Sequence, residues 1–290
     1  MPGLVSELIS DIKIKGQLQA DATVLSDADI LSIANKELQS VIVPKILSVR
    51  ENYFWCFKEY QIAGAKAYRI PPRAIGSKIT AITIRENTGK VFSLARKHPG
   101  DLSSRVGYKI VGDNIWIANV NGDIPSGVLR IEYQCAPPLM VLSPTTALTT
   151  VASVSGSTIN TTTPLGGSYE IIRPSGSQTT VCFISGPVGT VFTNPDDLSG
   201  ETYSGIVVAG DEVISTNASH RVPLPLELHD WLAQRCVMRI KEYLGHSDEM
   251  SLAGAKLADM ERDGLAIITP RSEQDEKVIS DKEILNWRTW

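Results

Sequence analysis

No stretch of the 290-residue sequence approaches the ~20 consecutive apolar residues that a membrane-spanning helix needs, so no span is expected. The basic surplus of a dedicated nucleic-acid binder is missing too, because the net charge is −4. Cysteine is sparse. Cys56, Cys135, Cys182 and Cys236 lie far apart and form no CxxC pair. That spacing argues against a zinc site or a disulfide framework and reads as buried free thiols in a reducing cytosol. The four histidines, His98, His220, His229 and His246, fall in unrelated local settings. There is no GxGxxG, phosphate-binding loop, GxSxG or HExxH. The opening MPGLVSELISDIKIKG mixes acids with apolar residues and does not read as a secretory signal.

The weaker candidates for chemistry each have a plainer reading. Asp196 and Asp197 in TNPDDLSG offer too few oxygens for calcium and read as a polar turn. His229 and Cys236 share a helix face, and a buried cysteine with an interfacial histidine describes them better than a thiol–imidazole dyad. Asn160 and Asn217 fit the glycosylation pattern, which carries no weight without a secretory route. No catalytic residue, cofactor or metal is expected from these motifs, although missing motifs do not exclude an enzyme whose catalytic residues come from distant positions.

What the sequence does contain is a sharp shift in composition. Between Leu142 and Ser219 there is one basic residue, Arg173, against six acidic ones, Glu170, Asp196, Asp197, Glu201, Asp211 and Glu212. The same stretch is rich in Ser, Thr and Gly. An inserted β domain is expected over 142–219, packed as a small sandwich or barrel or extended as a hairpin arm.

On either side the periodicity is informative. Leu4–Ile14 is a short helix candidate. Ser26, with Asp27 and Asp29, caps a second helix whose stripe is Ile30, Ala34, Leu38 and Val41. Pro44 should kink or break that helix, and Lys45–Arg50 should resume it. Tyr53, Phe54 and Trp55 form an aromatic knot expected in the core. From Phe57 the period becomes two, with Gly112-Asp113-Asn114 as a tight turn, so an antiparallel meander is expected. Helical period returns with Leu228, Trp231, Leu232, Cys236, Val237, Ile240 and Leu244. Gly245 should close that helix, Ser247 should cap the next, and Gly264 should lie near its end. After Pro270 the chain is charged and reads as a solvated tail that ends in Trp287 and Trp290. The fold class is α+β: a helical bundle from both ends of the chain, an antiparallel β module and an inserted all-β domain. The divisions are 1–141 and 220–270 for the core, 142–219 for the insert and 271–290 for the tail.

The series YRIPP, YKIVGDNIWI, GVLRIEYQCAPPL and the proline-preceded helices, with matching positions Tyr68 to Pro71, Tyr108 to Ile117, Val128 to Pro138 and Pro225 to Met260, resembles the head-to-tail adaptor, or connector, proteins of tailed bacteriophages. The resemblance covers most of the chain outside 142–219. It implies a structural virion protein, not an enzyme, of the capsid–tail junction, made in the host cytoplasm. It implies a homo-oligomeric ring of about twelve copies below the portal protein, joined to the next tail or neck protein. DNA would pass through the lumen without specific binding, and no membrane is involved. On this reading Ile284, Leu285, Trp287 and Trp290 dock the tail onto the portal or a neighbouring copy. Two other classes stand beside it. One is a carbohydrate- or receptor-binding tail module that stacks sugars on Tyr169, Phe183, Phe192 and Tyr203 of the insert. The other is a hydrolase with dispersed carboxylates.

Overall fold

The computed structural model describes residues 3–18, 25–62, 67–71, 73–86, 89–98, 106–118, 127–142, 147–155, 158–172, 180–193, 207–215 and 218–269. The fold is α+β, with three apolar clusters. No helix among the described residues is long and apolar enough to cross a membrane.

The first cluster is helical. Helix α1 (Val5–Gly16) buries Val5, Leu8, Ile9 and Ile12, a stripe at three- and four-residue spacing. Helix α2 (Asp27–Glu37) starts at Ser26, whose hydroxyl accepts from Asp29 N–H at 3.2 Å. The Ser26 N–H donates back to Asp29 at 2.9 Å, so the expected cap forms as a reciprocal box. Pro44 neither breaks nor ends this helical run. The chain passes through a π turn (Leu38–Ile42) into α3 (Val43–Val49), with Pro44 in the first turn of α3. Widening the turn just before the proline moves the hydrogen-bond register and accommodates its missing N–H. Helix α4 (His229–Leu244) buries Trp231, Leu232, Cys236, Val237 and Ile240 against the same cluster. Each fully buried aliphatic chain contributes roughly 1.5–3 kcal/mol.

Gly245 ends α4 with φ +76, as its position foretold. Helix α5 (Ser247–Ile268) differs from expectation at its start: His246 is its N-cap, and Ser247 is already helical. Gly264 lies near its end, as read, where a Cβ would meet Leu228 Cδ2 at 3.2 Å; it allows close approach of α5 to the start of α4. Ion pairs cross-link the bundle. Lys15–Asp230 (2.7 Å) joins α1 to α4, Arg235–Glu37 (2.7 Å) joins α4 to α2, and Lys45–Glu261 joins α3 to α5. The start of the chain also meets the segment that leads into α4 as backbone: Val5 N–H donates to His220 O at 2.9 Å, and Leu4 bridges Arg221.

The second cluster lies in two four-stranded sheets. Strands β1 (Trp55–Ile62), β3 (Ala74–Glu86), β4 (Val91–Ser93) and β8 (Gly127–Cys135) form one, in the order β1-β8-β3-β4. Strands β2 (Ala67–Arg69), β5 (Ala95–Arg96), β6 (Gly107–Val111) and β7 (Asn114–Ala118) form the other, in the order β2-β7-β6-β5. This is not the simple meander expected. The last strand, β8, lies between β1 and β3, and β5 pairs with β6 in parallel. The Gly112 turn is as read, with φ +57. The aromatic knot divides where β1 begins. Tyr53 is buried among the helices, but strand alternation turns Trp55 outward, leaving it 36% exposed.

The third cluster belongs to β10 (Ala147–Ser155), β11 (Thr158–Ile172), β12 (Thr180–Thr193) and β13 (Glu212–Ser215). The described residues form one sheet, β10-β13-β11-β12, whose long β11–β12 pairing is closer to the hairpin-arm expectation than to a sandwich. Two short strands, β9 (Leu139–Met140) and β14 (Ala218–Ser219), pair in parallel and lie where the chain enters and leaves this sheet. The helices hold that junction through Asn35. Its side-chain amide donates to Met140 O (2.9 Å) and its carbonyl accepts from Met140 N–H (2.8 Å), in the manner of a strand neighbour.

Candidate functional site

The residues expected to dock the chain to its partners, Ile284, Leu285, Trp287 and Trp290, lie outside the described residues, as does Tyr203. The side chains of Phe183 and Phe192 are outside them as well. Tyr169 packs against the apolar cluster of its own sheet, which does not suit a sugar platform. Asp196, Asp197 and Asn217 are likewise not described, and Asn160 donates to Ser153 Oγ at 2.9 Å within the sheet.

The densest polar constellation joins the two β regions. Arg73 sits just before β3, and Glu170 lies on β11. Their side chains form an ion pair with Arg73 8% and Glu170 0% exposed. Arg73 also donates through Nε to Ala136 O at 2.7 Å, and through Nη2 to the same oxygen. A guanidinium this deep persists because its donors are met by a carboxylate and a carbonyl. Beside it, the Cys135 thiol on β8 donates to the same Ala136 O at 3.5 Å, and Cys56 on β1 packs against the second apolar cluster. Burial pushes the Tyr133 hydroxyl well above the ordinary tyrosine range.

A second pair marks the exit from the third sheet. Arg221 grips Glu212 of β13 in bidentate fashion, Nε at 2.7 Å and Nη2 at 2.6 Å. His220 Nε2 lies 3.5 Å from Glu212, and burial lowers its pKa more than that carboxylate raises it. Asp211 accepts from Val208 N–H at 3.0 Å and is buried. Three of the six acids in 142–219 are therefore engaged inside the fold. The acidity read from the sequence is in part an internal feature, not a surface one.

The outward face of β1 carries a different group. Trp55 and Phe57 contact each other with ring centroids 5.6 Å apart, and the Arg130 guanidinium lies 4.5 Å over the Phe57 ring. Arg130 and Arg85 both reach Glu59, at 2.6 and 3.8 Å. Positive charge does gather in this region: from Trp55 to Cys135 the sequence has 12 Lys and Arg against 6 Asp and Glu.

His229 and Cys236 do not form a dyad. His229 Nε2 hydrogen-bonds Leu224 O at 3.0 Å, with its pKa lowered chiefly by burial, and burial pushes the Cys236 thiol up. Among the described residues no group of three or more His, Cys, Asp or Glu could hold a metal ion. The sequence had offered no sign of the Arg73–Glu170 contact, since its partners lie 97 positions apart. No family model matches this sequence, and no curated protein matches it.

Proposed function

We propose that this chain is a structural ring protein, the head-to-tail adaptor of a tailed bacteriophage, in which a helical bundle and a β module form the repeating core and 142–219 is an inserted all-β domain. The observation that carries the reading is the presence of unlike apolar surfaces on different elements. The helices expose Ile14 at 74%, Tyr243 at 77% and Ile267 at 60%, and the edge strand β1 exposes Trp55 and Phe57. A closed ring needs two faces that complement each other without being the same, and helix-borne and sheet-borne patches supply such a pair. The joining of N-terminal and C-terminal helices in one cluster supports it, because a subunit that transmits load between assemblies benefits from having those helices share one core.

In this role the chain pairs with copies of itself, with the portal protein above and with the next neck or tail protein below. DNA crosses the lumen without base recognition. The segment 271–290, with Ile284, Leu285, Trp287 and Trp290, provides the anchors to the portal or an adjacent copy, and the chain resides at the capsid–tail junction. Negative-stain imaging of the purified chain, alone and mixed with a portal ring, tests this. Rings with a central hole, or rings formed only on the portal, are expected. A chain that stays monomeric at tens of micromolar and leaves the portal bare refutes it. Deleting 271–290 should leave the melting temperature nearly unchanged and abolish attachment to the portal.

A further inference from the structure

We propose that the outward face of the second sheet binds single-stranded DNA, stacking a base on Trp116 and holding the adjoining phosphates with Arg69 and Lys109. Strand register brings the three together. Trp116 on β7 pairs with Ala67 of β2 on one side and with Lys109 of β6 on the other. Arg69 is two residues from Ala67 and pairs with Asn114, itself two residues from Trp116. Residues two apart in a strand share a face, so Arg69, Asn114, Trp116, Lys109 and Val111 stand on the same side of the sheet. Tyr68, Tyr108, Ile110, Ile115 and Ile117 alternate with them and belong to the second apolar cluster, so the first set faces outward. Directly opposite residues stand about 5 Å apart and diagonal ones about 7–8 Å, which sets Lys109 and Arg69 on two sides of the indole.

Exposure and charge set this face apart. Trp116 is 44% exposed and Val111 54%, whereas the fold buries Trp231 to 1%. An indole left in water forgoes a large burial free energy unless something covers it. The four strands of the sheet carry Arg69, Arg96 and Lys109 and no aspartate or glutamate. Lys97, just after β5, lays its stem across Gly107 of β6, where a Cβ would meet Lys97 Cε at 2.8 Å. Gly107 shares the face of Lys109, so Lys97 adds positive charge to it. The chain as a whole is acidic, at −4, so this surplus is local to the β module.

The pairing of an exposed ring with flanking cations selects the ligand. An acidic peptide would use the cations and leave the indole without a flat partner. A nucleic-acid strand with unpaired bases offers regular anions and π faces together, and aromatic platforms in positive grooves bind such strands. In a duplex each base face is covered by its neighbours, so Trp116 has nothing to stack on. Every base has a π face, so binding is tolerant of sequence. Arginine and lysine beside the ring neutralise phosphates on either side of the stacked base, and binding therefore weakens with salt. The choice of DNA over RNA rests on the ring reading, in which DNA traverses the assembly; the site itself does not depend on ring formation.

The test titrates the full-length chain into a fluorescein-labelled oligothymidine of about 16 nucleotides and follows the anisotropy. Micromolar binding at low salt is expected, with a log–log salt slope near −1.4, about −0.7 for each of two phosphate contacts. Trp116→Ala should weaken binding by about 5- to 150-fold, the range for losing one stacked base, and Trp116→Tyr, which keeps a ring, should restore most of it. Arg69→Ala should bring the slope to about −0.7. Lys256→Ala, on α5, should change neither affinity nor slope. Anisotropy that stays flat at hundreds of micromolar chain overturns the proposal. So does a Trp116→Ala chain that binds as the parent does, or a duplex bound more tightly than the single strand. Polyglutamate that displaces the label as well as unlabelled oligothymidine does would mark a site for acidic protein, and a preference for oligouridine would mark an RNA site; either result overturns the proposal. Rings seen by imaging, from a chain that fails these titrations, would leave the ring reading standing.

Discussion

Replacing Glu170 with alanine tests how the third sheet is held to the rest of the protein. The substitution removes the carboxylate that pairs with the Arg73 guanidinium, itself only 8% exposed, and leaves its bond to Ala136 O in place. Breaking a buried ion pair from one side costs about 3–5 kcal/mol, because the surviving charge stays desolvated after losing that counter-charge. That is a large part of the ~5–15 kcal/mol by which a domain is stable. With a urea dependence of ~3 kcal/mol per molar for a chain of this size, the unfolding midpoint should fall by about 1–1.7 M. Arg73→Met should cost a similar amount by removing the cation paired with Glu170, which is fully buried. The double variant Arg73→Met/Glu170→Met removes both charges, and its midpoint should return to within about 1 kcal/mol of the parent or exceed it. Urea titrations followed by far-ultraviolet circular dichroism measure all four chains. A Glu170→Ala midpoint within ~0.3 M of the parent would refute the argument, since the pair would then be too hydrated to matter. A double variant as unstable as the sum of the singles would refute it differently, by showing that the side chains act through packing alone.

Gly127→Ala should lose about 1–3 kcal/mol, because Gly127 has φ +154 and an added Cβ would collide with the Arg85 carbonyl; a melting temperature unchanged by the substitution contradicts this. His220 and His229 both have pKa values lowered from the ordinary 6.5, chiefly by burial. The unfolded chain thus takes up protons first as the pH drops, so stability is full above about pH 6.5 and is lost as the pH falls toward the folded values. His229→Gln, which keeps an N–H for Leu224 O, should flatten the decline in melting temperature between pH 7.5 and 5.5, and an equally steep decline counts against the assignment. Replacing 142–219 with a short Gly-Ser linker should leave a cooperatively unfolding helical and β core, because Arg73 then meets water; loss of cooperativity would show that the insert is integral. Duplex DNA should give no retarded band at physiological salt, because Arg73, Arg85 and Arg130 are held by carboxylates; nanomolar affinity with a steep salt slope would show otherwise.

The features legible in the sequence were those set by a few neighbouring residues. Ser26 and Asp29 are three apart, and a reciprocal cap needs nothing more. Gly245 and Gly112 mark positive φ, a preference that belongs to the residue itself. The stripes on α1, α2 and α4 follow from helical period, and the α+β class follows from the change of period at β1. Pro44 shows the limit of local reading, because its signal named a disturbance and the tertiary packing chose a π turn over a break. Trp55 shows it again: adjacent aromatics predicted a core, yet where β1 begins decided which ring faces water. The placement of β8 between β1 and β3 was decided by the long-range pairing of whole strands, for which no short stretch carries a signal. The polar site belongs wholly to this second kind. Arg73 meets Glu170 only after strands far apart in the chain have taken their register. A charge or a thiol gains its chemistry from the space it ends in, and that space exists only in the assembled fold.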